Sequence, residues 1–247
     1  MNTVKFEKKQ VKVVAHRGVS KLERENTYAA FVAAGNRSYF GVETDVRCTR
    51  DGHFIILHDE NALRVAGVEI RPEESTLEEL RAIRLYDLPM ADGTACETRC
   101  PHLVLPTLEE YISVCKKYEK ECVLELKTEM DAATTRNMID RITAQGYLEH
   151  VIFISFLWND LVHVRTLLPN QKCQFLFGER MQSDELFAKM KEYRFDVDVH
   201  YQALTEEWVK KYHDAGMEIN AWTVDDPADG ERLASWGVDY VTSNILE

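Results

Sequence analysis

From Val11 onward the chain alternates short β-branched runs with longer amphipathic stretches, and this rhythm restricts the fold more than any other feature. The strand-like runs are Val11 to Ala15, Tyr39 to Val46, Cys122 to Leu126, Val151 to Phe156, Cys173 to Phe177, Val197 to Tyr201, Glu218 to Val224 and Tyr240 to Thr242, eight in all. Helical patterns follow most of them, at Thr27 to Ala34, Ala132 to Gln145, Trp158 to Leu168, Asp184 to Tyr193, Glu206 to Ala215 and Pro227 to Ser235. Thr205 and Asp226-Pro227 read as helix starts, and Gly146, Gly216 and Gly237 as helix ends. Strands this apolar need cover on both faces, which means a parallel sheet wrapped by helices, and eight of them point to an α/β fold closed as a (β/α)8 TIM barrel. An open doubly wound sheet is the alternative. Its usual glycine-rich phosphate loop is missing, because Gly35 and Gly41 are isolated.

One stretch breaks the rhythm. About sixty residues lie between Asp59 and the strand starting near Cys122, against roughly 2–6 in a usual βα connection. Thr76 to Leu85 reads as a short helix with Thr76 as its cap, and Thr107 to Tyr118 as the regular helix before the next strand. The remainder, about 59–105, is expected to be a small insertion after the second strand, at the rim where substrate pockets form. Residues 1–247 then read as one barrel domain, a size that (β/α)8 barrels commonly have.

The formal net charge of -12 opposes binding to nucleic acid or to an anionic membrane surface. The first ten residues lack the apolar core of a secretory leader, and six cysteines in so long a chain read as reduced thiols, so a cytoplasmic location is expected. No run approaches the roughly 20 apolar residues of a membrane span, and no stable membrane association is expected.

Two carboxylates at i and i+2 of one strand point to the same face, so Glu43 and Asp45 at the mouth of a barrel would form a hard oxygen site for Mg²⁺ or Ca²⁺. Glu125 and Lys127 repeat that spacing on the next barrel strand, offering a third carboxylate and a cation for a phosphate oxygen. Each doublet alone is as easily solvated charge at a strand end; two on neighbouring strands are not. His16 emerges from Val13-Val14-Ala15 at a strand end, Arg17 offers a forked donor for phosphate, and Gly18 permits a sharp turn. His58 closes an apolar run opened by the Asp51-Gly52 turn, as a small hairpin aimed back at the mouth would require. Two histidines beside a carboxylate cluster read as a general acid and a general base, with the assignment open. The other six histidines read as structural or solvated. Trp222 either fills the barrel core or forms an apolar wall against a substrate's carbon backbone. Cys96 to His102 could be half of a zinc site, but no second Cys/His pair follows at a suitable spacing, so free thiols are expected there.

Taken together, these residues resemble the glycerophosphodiester phosphodiesterase family. The matching stretches are His16-Arg17-Gly18 with Glu25-Asn26-Thr27, then Gly41-Val42-Glu43-Thr44-Asp45-Val46, Asp51-Gly52 with Leu57-His58-Asp59, Leu124-Glu125-Leu126-Lys127, and Ala221-Trp222-Thr223-Val224. The resemblance implies hydrolysis of glycerophosphodiesters, small soluble phosphodiesters, to an alcohol and glycerol 3-phosphate with one divalent cation. It implies Glu43, Asp45 and Glu125 as metal ligands and His16 and His58 as the acid/base pair. Arg17 and Lys127 would hold the phosphate, and Trp222 would pack on the glycerol.

Two departures stand out. Arg24 occupies the place of a proline common in the family, which is expected to alter only a loop. The chain also runs out soon after its last strand, so the eighth outer helix is expected to be missing, with the wall there covered by the N-terminal segment or by a second copy in a homo-oligomer, or else the apolar strand end exposed. A lysophospholipase D or cyclising phospholipase-type enzyme is the rival within the enzyme class; the acidic character of Glu69-Ile70-Arg71-Pro72-Glu73-Glu74 speaks against a membrane-facing rim. A non-catalytic phosphoester-binding barrel is the rival outside it.

Overall fold

A computed structural model of the chain describes residues 2–89, 94, 96 and 98–247. In chain order the strands are β1 (Lys12–Ala15), β2 (Gly41–Cys48), β3 (Phe54–Ile56), β4 (Glu121–Leu126), β5 (Val151–Ser155), β6 (Cys173–Phe177), β7 (Asp196–His200), β8 (Ile219–Trp222) and β9 (Tyr240–Ser243). All but β3 are parallel to their neighbours, in the order β1-β9-β8-β7-β6-β5-β4-β2, and the pairing of β1 with β2 closes the ring. The fold is therefore the expected (β/α)8 barrel, and each strand matches an expected run to within two residues. Closure in register, with Val14 beside Gly41 and Thr242, removes the free edges an open sheet would leave.

The outer helices are α1 (Tyr28–Gly35), α4 (Leu108–Lys117), α5 (Ala132–Ala144), α6 (Trp158–Leu167), α7 (Asp184–Tyr193), α8 (Glu206–Asp214) and α9 (Pro227–Trp236); the insertion adds α2 (Leu63–Ala66) and α3 (Leu77–Arg81). Their starts are set chemically. The Thr27, Thr107, Asp131 and Thr205 side chains each accept a hydrogen bond from a first-turn backbone N–H, and Thr107 and Glu110 complete a capping box. Between helices and strands lies the main core, with Phe31, Tyr111, Phe153 and Phe177 fully buried. A separate cluster fills the barrel lumen, built from Val14, Val123, Ile152, Ile154, Leu176 and Tyr240.

The insertion has its own small core, with Ile55, Leu57, Val65, Leu80 and Leu105 at its centre. Truncating Leu80 to alanine there would cost about 2–5 kcal/mol. Helix α3 stops at Arg81, short of the expected Leu85, because Ile83 and Leu85 turn into this core and the Leu85 N–H donates to the Leu103 carbonyl. The Cys96 to His102 stretch includes Glu97, which lies outside the described residues; Cys96 and Cys100 are free thiols.

Among the described residues no helix follows β9. The N-terminal segment takes that place instead: Val4 pairs with Leu246, and Phe6 packs over Leu246 and Gly230, where an added Cβ would lie 2.9 Å from the ring. Glu247 fastens the cover, accepting hydrogen bonds from Thr3 Oγ1 (2.6 Å) and from the Ser38 N–H (2.8 Å). A partner subunit is not needed to shield the wall. No helix among the described residues is long and apolar enough to cross a membrane.

Candidate active site

Glu43, Asp45 and Glu125 all point into the lumen at the carboxyl end of the barrel, because they alternate with the outward-facing Thr44 and Leu124 and because β2 and β4 pair with Asp45 beside Glu125. All three are buried, and one oxygen from each lies within 4.8 Å of the others. Oxygens sharing an ion at about 2.1–2.5 Å are separated by roughly 3–5 Å, so the set fits a single hard cation. Asp45 Oδ1 is buried with no hydrogen-bond partner, as an oxygen reserved for a cation would be. Charge agrees with geometry. Burial and repulsion from Asp45 push the Glu43 carboxyl well above the usual range and Glu125 up to about 8. Burial acts on Asp45 in the same direction, yet Arg17, His58 and Lys127 outweigh it and hold Asp45 at about 2.

Other parts of the chain aim these oxygens. Asn26 Nδ2 donates to Asp45 Oδ2 (2.7 Å), while its Oδ1 accepts from Thr44 Oγ1 (2.8 Å). The Arg17 N–H donates to Glu43 Oε2 (2.8 Å) from a turn in which both Arg17 and Gly18 have positive φ. Only glycine suits the second position, since a Cβ there would lie 2.6 Å from Ala30.

The two histidines flank the cluster but are held differently. Asn244 Nδ2 donates to Asp225 Oδ2 (2.8 Å), so its Oδ1 faces His16 Nδ1 at 2.7 Å. An amide oxygen only accepts, hence Nδ1 carries the hydrogen and Nε2, 3.9 Å from Glu43, keeps its lone pair. Burial and the nearby Arg17 lower the His16 pKa to about 4. His58 follows the expected β2–β3 hairpin, in which Val46 pairs with Ile56 and Cys48 with Phe54. Its Nδ1 lies 2.7 Å from the Asp59 carboxylate, and Arg47 Nη2 donates to its carbonyl (2.9 Å).

Lys127 Nζ donates to Glu125 Oε1 (2.9 Å) and lies 3.7 Å from Asp45 Oδ1. Arg17 is gripped by Glu25 through Nη1 (2.8 Å), while its buried Nε has no hydrogen-bond partner and lies 3.5 Å from Asp45. Trp222 stands across the cavity with its ring edge-on to Phe156 (5.6 Å) and His200 (5.3 Å). A cavity of about 90 Å³ is lined by His16, Arg17, Glu43, His58, Lys127 and Trp222, with Glu125 also at its wall. Asp45 lies behind that lining, so all eight residues singled out in the sequence meet at one end of the lumen. A larger cavity, about 590 Å³, opens near Phe40 and the amino end of β5, but its charged groups are already engaged, Glu121 with His150 and Lys172 with Glu218.

Four contributors escaped the sequence reading. Arg64, on α2 of the insertion, makes ion pairs with Glu25 (2.7 Å) and Asp59 (2.7 Å), bracing the partners of Arg17 and His58 together. Asn26 acts through hydrogen bonds to the neighbouring strand β2, and Asn244 through one to His16 that depends on closure of the barrel. Arg24 does more than alter a loop: its Nε donates to the Tyr86 carbonyl (2.7 Å), pinning the insertion beside the site.

Comparisons with known proteins agree with this geometry. Residues 16–246 match the model of the glycerophosphoryl diester phosphodiesterase family. A glycerophosphodiester phosphodiesterase of Caldanaerobacter subterraneus subsp. tengcongensis is 29% identical over 237 residues, covering 95% of this chain and 94% of that protein. Among solved structures, a glycerophosphodiester phosphodiesterase from Parabacteroides distasonis superposes with a TM-score of 0.76 at 27% identity, covering 95% of this chain and 93% of that one. An Oleispira antarctica phosphodiesterase in complex with the product sn-glycerol-3-phosphate shares the fold, with a TM-score of 0.79 at 24% identity and coverage of 95% and 93%. A match over nearly the whole chain, on a closed barrel whose lumen gathers three acids between two imidazoles, makes this protein an enzyme of the glycerophosphoryl diester phosphodiesterase family.

Proposed function

We propose that the chain hydrolyses glycerophosphodiesters, the deacylated headgroups of phospholipids, to an alcohol and glycerol 3-phosphate, as one barrel domain acting on a small soluble substrate with one Mg²⁺ or Ca²⁺ ion. The observation that carries this reading is the buried triad of Glu43, Asp45 and Glu125 with a spare Asp45 oxygen, set between His16 and His58. With all three carboxylates ionised around it, a divalent ion together with the two cations Arg17 and Lys127 would leave the net positive charge that a phosphodiester monoanion requires. Bound there, the ion supplies Lewis-acid polarisation of the phosphoryl group and eases deprotonation of the nucleophile.

The two imidazoles divide the proton transfers. His16, with Nδ1 protonated against a neutral amide, presents an unprotonated Nε2 and serves as the base that takes the nucleophile's proton. Burial, Arg17 and Lys127 lower the His58 pKa, Asp45 and the Asp59 carboxylate on Nδ1 oppose that shift, and His58, paired with a carboxylate where His16 has an amide, serves as the acid that protonates the leaving oxygen. Arg17 Nε and Lys127 Nζ hold phosphate oxygens, and Trp222 lies against the glycerol carbons.

The test is turnover of glycerophosphocholine and glycerophosphoethanolamine with Mg²⁺ or Ca²⁺. Hydrolysis that falls by about 10²-fold or more in His16→Ala is expected. No turnover of either substrate with either metal would refute the proposal, and faster cleavage of micellar lysophospholipid would replace it with the lipid-directed one.

A further inference from the structure

Asp198 lies on β7, four strands from β2 in either direction round the barrel, so its carboxyl group projects into the lumen opposite the acidic triad. It is 1% exposed and lines the same cavity as Trp222, Leu176 and Thr242. Its Oδ1 is buried and has no hydrogen-bond partner. Asn220, its register neighbour on β8, donates through Nδ2 to Gln174 Oε1 (3.4 Å) and accepts at Oδ1 from Thr242 Oγ1 (3.0 Å), and neither it nor Gln174, whose Nε2 is itself without a partner, bonds the carboxyl. Nor does Asp198 belong to the cation set, which consists of Glu43, Asp45 and Glu125. A buried carboxyl group without a hydrogen-bond partner is costly, so its presence calls for a ligand that enters the cavity.

Position suggests which ligand. Residues 198 and 200 share a face of β7, and His200 is in register with Trp222, so Asp198 sits one pleat repeat deeper than the indole. An apolar wall with a single hydrogen-bonding group beneath it suits a short polyol, whose carbon-bound hydrogens meet the ring while a hydroxyl reaches past it.

We propose that Asp198 contacts the substrate and sets its specificity, by hydrogen bonding a hydroxyl of the glycerol moiety and so distinguishing a glycerol ester from a simple alkyl ester. This rests on the hydrolytic function proposed above. The apolar variant Asp198→Leu tests it through the ratio of Kd values for propyl phosphate and glycerol 3-phosphate, measured by calorimetry with Mg²⁺ present. The wild-type protein is expected to prefer glycerol 3-phosphate, and the variant to lose that preference by about 5-fold or more, the loss typical of a missing buried hydrogen bond. Because no protein group pairs with the carboxyl, the variant's melting temperature is expected to hold or rise, whereas a purely structural Asp198 would lower it. Asp198→Asn, which keeps the side-chain shape, serves if the leucine variant fails to fold, with a fall in the ratio of about 3-fold or more expected. A ratio within twofold of wild type in the folded variant overturns the proposal. The binding ratio is read without turnover, so an enzyme that fails to cleave glycerophosphocholine refutes the function while leaving the Asp198 contact to be decided separately.

Discussion

The two halves of the barrel wall differ in chemistry. Strands β1, β2 and β4, with the hairpin after β2, carry His16, Arg17, Glu43, Asp45, His58, Glu125 and Lys127, nearly every charged group in the cavity. Strands β5 to β8 and their loops line the other side mainly with Ile154, Phe156, Leu176 and Trp222, and add the polar Asp198 and Thr223. The charged half is densely cross-linked by hydrogen bonds and ion pairs, with Arg17 Nε and Asp45 Oδ1 left without partners, and the apolar half leaves Trp222 Nε1 and Asp198 Oδ1 without partners. Reactivity and recognition are thus separated in space. The first half is organised to hold charge still while bonds change, and the second to fit a particular carbon skeleton.

That division can be broken most directly at Asp45. Asp45→Ala is expected to lower kcat/KM by about 10³-fold or more on every phosphodiester, including the aryl ester bis(4-nitrophenyl) phosphate, which has no glycerol. The circular dichroism spectrum should not change. Retained hydrolysis of the aryl ester would mean that the acidic half does not perform the chemistry.

A second measurement sharpens the same contrast through pH. Glu43 and Glu125 have raised pKa values, the latter about 8, so at neutral pH they retain protons that a cation must displace. Mg²⁺ or Ca²⁺ affinity should therefore rise with pH through the neutral range, with proton release on binding detectable by calorimetry in buffers of differing ionisation enthalpy. Affinity that is flat or falls over that interval would contradict the burial and mutual repulsion described for the triad. A smaller effect belongs to the apolar half. Trp222→Ala should raise KM for glycerophosphocholine about tenfold, with a lesser effect on kcat and on metal affinity. Equal losses in kcat and metal binding would show that the halves are not separable.

Much of the barrel was legible before its coordinates. Strands buried on both faces must be apolar along their length, which is why runs such as Val151 to Ser155 stand out, and capping side chains such as Thr107 and Asp226 mark helix starts through local hydrogen bonds. The i, i+2 acids were legible for the same local reason, since strand geometry alone puts Glu43 and Asp45 on one face. Arg64, Asn244 and Asp198 were not. An arginine in an insertion and an asparagine after the last strand carry no distinguishing spacing, and Asp198, although at i, i+2 from Asp196 and His200, acquires its place in the cavity only when distant strands meet. The end of α3 was misjudged because helix pattern competes there with a small core that is invisible locally.

The order of elements, the inward direction of the acidic doublets and the residue types needed for phosphodiester chemistry were determined by the sequence alone, because each follows from contacts within a few residues. Tertiary structure decided the tautomer of His16, the cover over the last strand and the isolation of the Asp198 carboxyl. Those depend on closure of the ring, which brings β9 beside β1 and sets β7 across from β2, and closure depends on pairings far apart in the chain.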